Sequence, residues 1–214
     1  MADDHIENRR RGAMKKRAPR PLNAQKLRDM ALRYVARYAT SSHKLRQYLL
    51  RKVKERGWAD DMPADVDALV DYCVAQRFIN DALYAETKAA SLSRRGYGKR
   101  RVDDSLRASG IDEEDAQGAR DHAEAMRWKS ALLLAKRRRI GPFAAYSEDA
   151  AERETEADAQ QRQKLRQKQI QMMVRAGHDF MVAATLVDAR NLERLREIGD
   201  EQLDIALDGL IASE

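Results

Sequence analysis

Apolar side chains recur along this sequence with the 3.6-residue period of an α-helix, and few residues interrupt the pattern. The clearest case covers residues 27–38, where apolar residues stand at positions i, i+3, i+4, i+7, i+8 and i+11. The 214 residues include only four prolines and ten glycines, aromatic residues make up 6%, and β-branched runs that would favour a sheet are absent. The sequence therefore predicts an all-α protein.

Capping residues and helix breakers divide this pattern into separate helices. A side-chain oxygen just before a helix accepts a hydrogen bond from the first turn, which marks where the helix begins. The predicted N-caps are Ser41 or Ser42, Asn80 or Asp81, and Asp112. Gly141 and Pro142 form a stop, a further break is expected between residues 116 and 139, and residues 190–214 form one helix or two helices split near Gly199.

Three glycines, Gly57, Gly110 and Gly177, stand in similar surroundings and indicate an internal repeat. A glycine just past a helix end adopts the left-handed conformation without steric cost, and the next residue then folds back onto the last turn. Each glycine follows a base by eleven positions and an apolar residue by four: Arg46, Lys99 and Arg166; Val53, Leu106 and Met173. The apolar contact between the residue four positions before the glycine and the residue after it is predicted to be good at Gly57 and Gly110. It is predicted to be poor at Gly177, where His178 follows. The alternative is three unrelated helix ends.

The spacing of these glycines predicts tandem three-helix modules, about three of them, in an elongated array. A disordered basic tail is expected over residues 1–21, ended by two prolines. The predicted units are 22–60, with an alternative end near residue 77, then a central module at 61–125, a divergent module at 126–190 with an insertion around 141–165, and an acidic C-terminal helix or tail at 191–214.

The formal net charge of +6 is unevenly distributed. Residues 1–20 hold seven basic and three acidic residues, so most of the excess lies in the predicted tail. The rest alternates in blocks: residues 127–139 and 162–175 are basic, whereas residues 148–158 are acidic. Such blocks fit a partner that displays both signs of charge at least as well as they fit bare DNA.

The candidate contact surface lies in the segment SLSRRGYGKRRVDDSLRASGI, residues 91–111. Arginine forks match carboxylates and phosphates alike, and two glycines allow the backbone to approach a partner closely. The predicted partner-binding residues are Arg94, Arg95, Tyr97, Lys99, Arg100 and Arg101. The competing interpretation is a solvated helix face that serves solubility. A second basic run, residues 136–139, leaves both interpretations open.

Several kinds of chemistry lack their residues in this sequence. The segment is not a phosphate-binding P-loop, because Gly98 and Lys99 are followed by Arg100 and Ser93 stands where the first glycine is required. The four histidines are far apart and are expected at surface or helix-cap positions, and Cys73 is the only cysteine. We therefore predict no catalytic site, no metal and no cofactor.

The sequence also lacks features of export or membrane insertion. No apolar run reaches about 18 residues, and the N-terminus has no apolar stretch of the secretion type. A cytoplasmic protein without a membrane partner is expected.

Three segments resemble the RecX family, which regulates the bacterial recombinase RecA. They are ALRYVARYATSSHKLRQYLLRKV at residues 31–53, FINDALYA at 78–85, and the segment at 91–111; the resemblance covers about residues 27–119. Family members usually carry Glu where Lys44 stands, which would complete a capping box with Ser41. The third module is less similar, with His178 where an aromatic residue is expected.

The resemblance implies a modulator rather than an enzyme. RecX-like proteins are curved arrays of three-helix modules that bind in the groove of the RecA filament on DNA and inhibit ATP hydrolysis and strand exchange. It thus implies a RecA–DNA filament as partner, weak direct DNA binding as a second expected interaction, and a monomeric regulator of DNA repair and recombination. The alternatives are a DNA-binding architectural protein that uses the basic tail and the central patch, and a helical scaffold for another protein.

Overall fold

A computed structural model describes residues 20–144 and 156–212 and confirms the all-α prediction. The helices of these described ranges are α1 (Ala24–Arg37), α2 (Ser42–Arg56), α3 (Val66–Ala75), α4 (Asp81–Arg94), α5 (Lys99–Arg107), α6 (Glu113–Ala125), α7 (Arg127–Arg138), α8 (Glu156–Arg175), α9 (Phe180–Asp188), α10 (Leu192–Arg196) and α11 (Glu201–Ile211). A 3₁₀ turn, Gly141–Phe143, follows α7. Residues 1–19 of the predicted tail and residues 145–155 of the predicted insertion lie outside the described residues.

The first helix group, α1 to α3, surrounds a core that runs from Leu22 to Ile79. Leu45, Leu49 and Cys73 are fully buried there, as the helical period predicts. The segment before α1 is fixed by a short bridge: Leu22 N–H donates to the Gly57 carbonyl at 2.9 Å, and Ala59 N–H donates to the Leu22 carbonyl at 2.7 Å. The first group therefore closes on itself through backbone as well as side-chain contacts.

The core of the second group, α4 to α6, consists largely of alanine side chains. The facing residues of α4 and α6 are small and fully or almost fully buried: Ala85, Ala89, Ala116, Ala119 and Ala123. Small side chains let two helix axes approach closely, so backbone and Cβ atoms supply most of the packing. Val102 and Leu106 of α5 complete this core.

The third group, α7 to α11, shares one larger core that includes Leu132, Met173, Leu186 and Leu207. Gly199 splits the C-terminal segment into α10 and α11, which is one of the two predicted forms. Asp200 caps α11 and also accepts hydrogen bonds from Trp128 Nε1 at 2.9 Å and Arg127 at 2.8 Å. The C-terminal helix is therefore fastened to α7. The module boundaries stay a proposal, and the three cores favour an end of the first module near Ile79.

The predicted helix ends are largely confirmed. Ser41, Asn80 and Asp112 are the N-caps, each accepting a backbone N–H from the first turn. The break that the sequence did not locate falls at Met126, where φ is −93° and ψ is 8°. Within the described ranges, no helix combines the length and apolar composition that crossing a membrane requires.

The three repeated glycines all have positive φ, but the helix ends that they form differ from the prediction. Ile111 N–H bonds to the Leu106 carbonyl and His178 N–H to the Met173 carbonyl, both at 3.2 Å, so the Gly110 and Gly177 joints are of the same Schellman type. Gly57 was predicted to match them. It instead leads into extended chain, with ψ 171°, because the next residues pair with Leu22.

Candidate partner-binding surface

The predicted surface residues lie around the turn between α4 and α5. Gly96, with φ +79°, ends α4, and Tyr97 N–H closes the turn by donating to the Leu92 carbonyl at 3.1 Å. This turn positions two arginines at the end of α4 and three basic residues in the first turn of α5. We call the set Arg94, Arg95, Tyr97, Lys99, Arg100 and Arg101 the α4–α5 basic cluster.

Tyr97 is the organising side chain of this cluster. Its half-buried ring has the Arg95 guanidinium 5.3 Å and the Arg101 guanidinium 5.9 Å from its centroid. Both distances suit cation–π attraction, which orders two long side chains without neutralising either charge. The structure therefore brings three of the predicted residues together as one unit.

Lys99 plays a different part. Its Nζ donates to Glu124 Oε2 on α6 at 2.8 Å. That hydrogen bond raises the pKa of Lys99, with further contributions from the charges of Glu124, Asp103 and Asp179. Lys99 is thus charged but already compensated, and it joins α5 to α6. Its role as a contact residue stays a prediction.

The four arginines of the cluster are exposed and uncompensated. Within residues 20–144 and 156–212, none of Arg94, Arg95, Arg100 and Arg101 has a carboxylate partner. Other arginines of this chain do pair: Arg127 with Asp200 at 2.8 Å, and Arg166 with Asp188 at 2.5 Å. Four guanidinium groups are therefore left available for an external anion.

The two glycines of the cluster serve contacts within the molecule. Gly98 N–H donates to the Ala176 carbonyl at 3.0 Å, and Arg100 N–H donates to the Gly177 carbonyl at 3.1 Å. A Cβ atom on Gly98 would lie against the Gly177 carbonyl and 2.6 Å from the backbone nitrogen of His178. The sequence predicted that these glycines would let a partner approach closely. In the structure, the loop between α8 and α9 makes that close contact with Gly98 instead. It locks the second helix group to the third.

The sequence predicted a surface or helix-cap position for His178; the residue caps α8 through its N–H bond to the Met173 carbonyl, but it is buried, with 3% of its surface exposed. Its Nε2 lies 3.0 Å from the Gly96 carbonyl, so Nε2 carries the proton and donates. Burial lowers the pKa of His178 below its ordinary 6.5, which keeps the ring neutral. The surface prediction was wrong because the residue after a helix-ending glycine folds inward and the α4–α5 turn covers it. The sequence signal that could have predicted this buried position is Gly177, the glycine that ends the helix before His178.

The second basic run, residues 136–139, lies near the cluster. A Cβ on Gly96 would lie 3.1 Å from the backbone nitrogen of Leu134, so α7 passes directly beneath the α4–α5 turn. Residues 136–139 form the next turn of α7 and are exposed; Arg139 ends the helix with φ +53°. The second basic run therefore begins within one helical turn of Leu134, the α7 residue that lies against the α4–α5 turn.

In the described parts of the chain, His, Cys, Asp and Glu side chains do not gather in any group of three or more that could hold a metal ion. The sole cysteine, Cys73, is fully buried in the first core, and burial raises the pKa of its thiol. The α4–α5 basic cluster is thus a surface suited to ionic recognition.

Comparison with known proteins finds similarity to regulatory proteins named RecX. Residues 80–119, which span α4, α5 and the first part of α6, match the family model described as RecX, second three-helix domain. The chain is 29% identical over 178 residues to the regulatory protein RecX of Myxococcus xanthus strain DK1622, covering 80% of this chain and 89% of that protein.

Shorter matches occur with proteins of the same name from two other organisms. Identity is 32% over 96 residues with Cronobacter sakazakii RecX and 35% over 89 residues with Yersinia enterocolitica RecX. They cover 44% and 39% of this chain, and 58% and 51% of those relatives. The match thus extends to about half the length of these two relatives.

Proposed function

We propose that this chain, which is similar to regulatory proteins named RecX, binds the RecA filament on DNA and lowers the recombinase's ATPase and strand-exchange activities. It acts without catalytic chemistry of its own. The partner is inferred from the family, and the contact surface from the chain's own residues. In this proposal the α4–α5 basic cluster docks in the filament groove.

The observation that carries the proposal is the set of four uncompensated arginines on a fixed backbone. A protein filament wound around DNA presents carboxylates together with phosphates, and a planar guanidinium can form paired hydrogen bonds with either. The α4–α5 turn is held by backbone bonds to the α8–α9 loop, and the Tyr97 ring orders Arg95 and Arg101, so the backbone and two of the four guanidinium groups need little ordering on binding. Preorganised charges of this kind favour specific docking over loose electrostatic attraction.

Inhibition follows from how such a protein would be placed. A chain of helix groups that spans more than one filament subunit would restrain the movements that accompany ATP hydrolysis. The third group is bonded to the second through Gly98 and Arg100, and so both groups would bind as one body. Charge reversal within the α4–α5 basic cluster should therefore weaken inhibition at least tenfold rather than slightly.

The test is DNA-dependent ATP hydrolysis by RecA, measured against increasing amounts of this protein. The wild type should suppress the hydrolysis, and the double variant Arg95→Glu/Arg100→Glu should suppress it at least tenfold less effectively. The matched control is Lys164→Glu/Arg190→Glu, which reverses two exposed charges elsewhere and should inhibit like the wild type. Unchanged ATPase at saturating wild-type protein would refute the proposal.

A direct DNA-binding role through the same cluster is the competing function. It predicts binding to naked duplex DNA at the inhibitory concentrations, with an affinity that falls with a logarithmic salt slope of about 0.9 per phosphate contact. A filament binder should leave naked duplex unoccupied at those concentrations. Inhibition that always coincides with occupancy of naked DNA would favour the competing function.

A further inference from the structure

Helices α1 and α2, which contain none of the residues of the α4–α5 basic cluster, are strongly basic. Residues 24–56 contain ten basic and two acidic residues, a net charge of +8. The whole chain carries +6, so all other residues together are slightly acidic. A surface of one sign on this scale attracts a polyanion.

Tyrosine rings lie among these charges. The rings of Tyr34 on α1 and Tyr48 on α2 are stacked, with centroids 4.3 Å apart and an interplanar angle of 19°. Tyr38, at the end of α1, packs against Tyr34 with centroids 5.2 Å apart and remains 49% exposed. The row of rings therefore begins in the first core and ends with a ring that solvent can reach.

The row continues onto the second helix group. Lys44 stands one helical turn before Tyr48 on α2, and its Nζ donates to the Tyr84 hydroxyl on α4 at 2.6 Å. Lys88 Nζ reaches the same hydroxyl at 3.3 Å. Two ammonium groups thus converge on one neutral phenol. Together, Tyr34, Tyr38, Tyr48, Tyr84, Arg37, Lys44 and Lys88 form what we call the tyrosine stripe.

The cations of the stripe lack acidic partners. Within the described ranges, Arg37, Lys44 and Lys88 form no ion pair, although the Arg37 guanidinium lies 5.5 Å from the centroid of the Tyr38 ring. Each lysine retains ammonium protons beyond the one that Tyr84 accepts. Because Lys44 and Lys88 converge on one hydroxyl without a counter-ion, these two like charges favour an external anion at this place.

We infer that the tyrosine stripe binds single-stranded nucleic acid, with backbone phosphates on Arg37, Lys44 and Lys88 and an unpaired base against the ring of Tyr38. An acidic protein would use the cations, but it does not repeat a flat apolar face at the spacing of its charges. A duplex keeps its base faces stacked inside. Alternating cations and aromatic rings match the alternating phosphates and bases of a single strand.

This binding would be separate from docking on the filament. The stripe lies on α1, α2 and α4, uses none of the residues of the α4–α5 basic cluster, and needs no recombinase. A single strand that leaves the filament, or lies beside it, is the physical form of ligand that suits it. The inference goes beyond the proposed function and can hold or fail independently of it.

The experiment measures binding of the full chain to a fluorescent oligothymidine of about 20 nucleotides by anisotropy, beside a duplex of equal length. Tyr38→Ala should weaken binding of the single strand about tenfold and leave the duplex nearly unchanged, whereas Tyr38→Phe, which keeps the ring, should bind like the wild type. Arg37→Gln and Lys44→Gln should each reduce the logarithmic salt slope by about 0.7.

Two control measurements make the inference refutable. Arg95→Glu/Arg100→Glu should retain at least half of the single-strand affinity, because these residues lie outside the stripe. Polyglutamate should compete poorly with oligothymidine. The inference is overturned if Tyr38→Ala binds oligothymidine like the wild type, if the cluster variant loses the binding, or if polyglutamate competes as well as the single strand.

Discussion

Replacing Gly98 with alanine isolates the contact between the second and third helix groups. Gly98 has φ −84° and ψ 173°, a conformation that alanine adopts freely, so the substitution introduces no backbone strain of its own. Its only effect in the folded state is the new Cβ, which meets the Gly177 carbonyl and lies 2.6 Å from the nitrogen of His178. These neighbours are backbone atoms, so they cannot move out of the way by a side-chain rotation.

The expected cost follows from what must separate. If the α4–α5 turn moves away from the α8–α9 loop, the hydrogen bonds Gly98 N–H to Ala176 and Arg100 N–H to Gly177 are lost. At about 1 kcal/mol for each bond, and about 1 kcal/mol for disturbed packing, Gly98→Ala should lower the free energy of unfolding by about 2–4 kcal/mol. The buried bond between His178 and Gly96 would weaken as well.

Urea unfolding followed by circular dichroism measures this change, and Gly209→Ala is the matched control. Gly209 lies inside α11 with no atom within 4 Å of an added Cβ, so alanine there should raise the free energy of unfolding by about 0.5–1 kcal/mol. Amide exchange of Gly98 and Arg100 should also accelerate in Gly98→Ala. A Gly98→Ala protein as stable as the wild type would refute the backbone contact described here.

Two further outcomes follow from buried polar groups. Because burial lowers the pKa of His178, its contribution to stability should be complete above about pH 6.5 and decline as pH falls below that value; His178→Gln should remove this part of the pH dependence in thermal unfolding. Asp200→Ala should lower the free energy of unfolding by about 1–2 kcal/mol, since the carboxylate caps α11 and accepts from Trp128, and the tryptophan fluorescence should change with it. Asp200→Asn, which keeps a capping oxygen, should lose less.

The sequence predicted the helices because their determinants are local. Period, N-caps and helix-ending glycines act over four or five residues, and so Ser41, Asn80 and Asp112 could be identified from their neighbours alone. The error at Gly57 had a tertiary cause. The residues after it pair with Leu22, some 35 positions away, and no local pattern reports that pairing.

The candidate surface was predictable only in outline. The residues of the α4–α5 basic cluster are adjacent in sequence, which made the cluster visible. The charge of Lys99 is compensated by Glu124, which stands 25 residues later on another helix. The neutral, buried state of His178 depends on Gly96, 82 residues earlier. The tyrosine stripe likewise joins Lys44 to Tyr84 across two helix groups.

The sequence by itself determined that this chain is a series of capped helices with concentrated positive charge. The tertiary structure decided which charges remain available and which glycines are used internally. The physical reason is the range of the forces involved: helix formation is settled by hydrogen bonds and side chains within one or two turns, whereas ion pairing and burial depend on the angles at which helix groups meet. At Gly98 the missing Cβ lets two backbone segments touch, and this contact holds the turn beside which the four arginines stand.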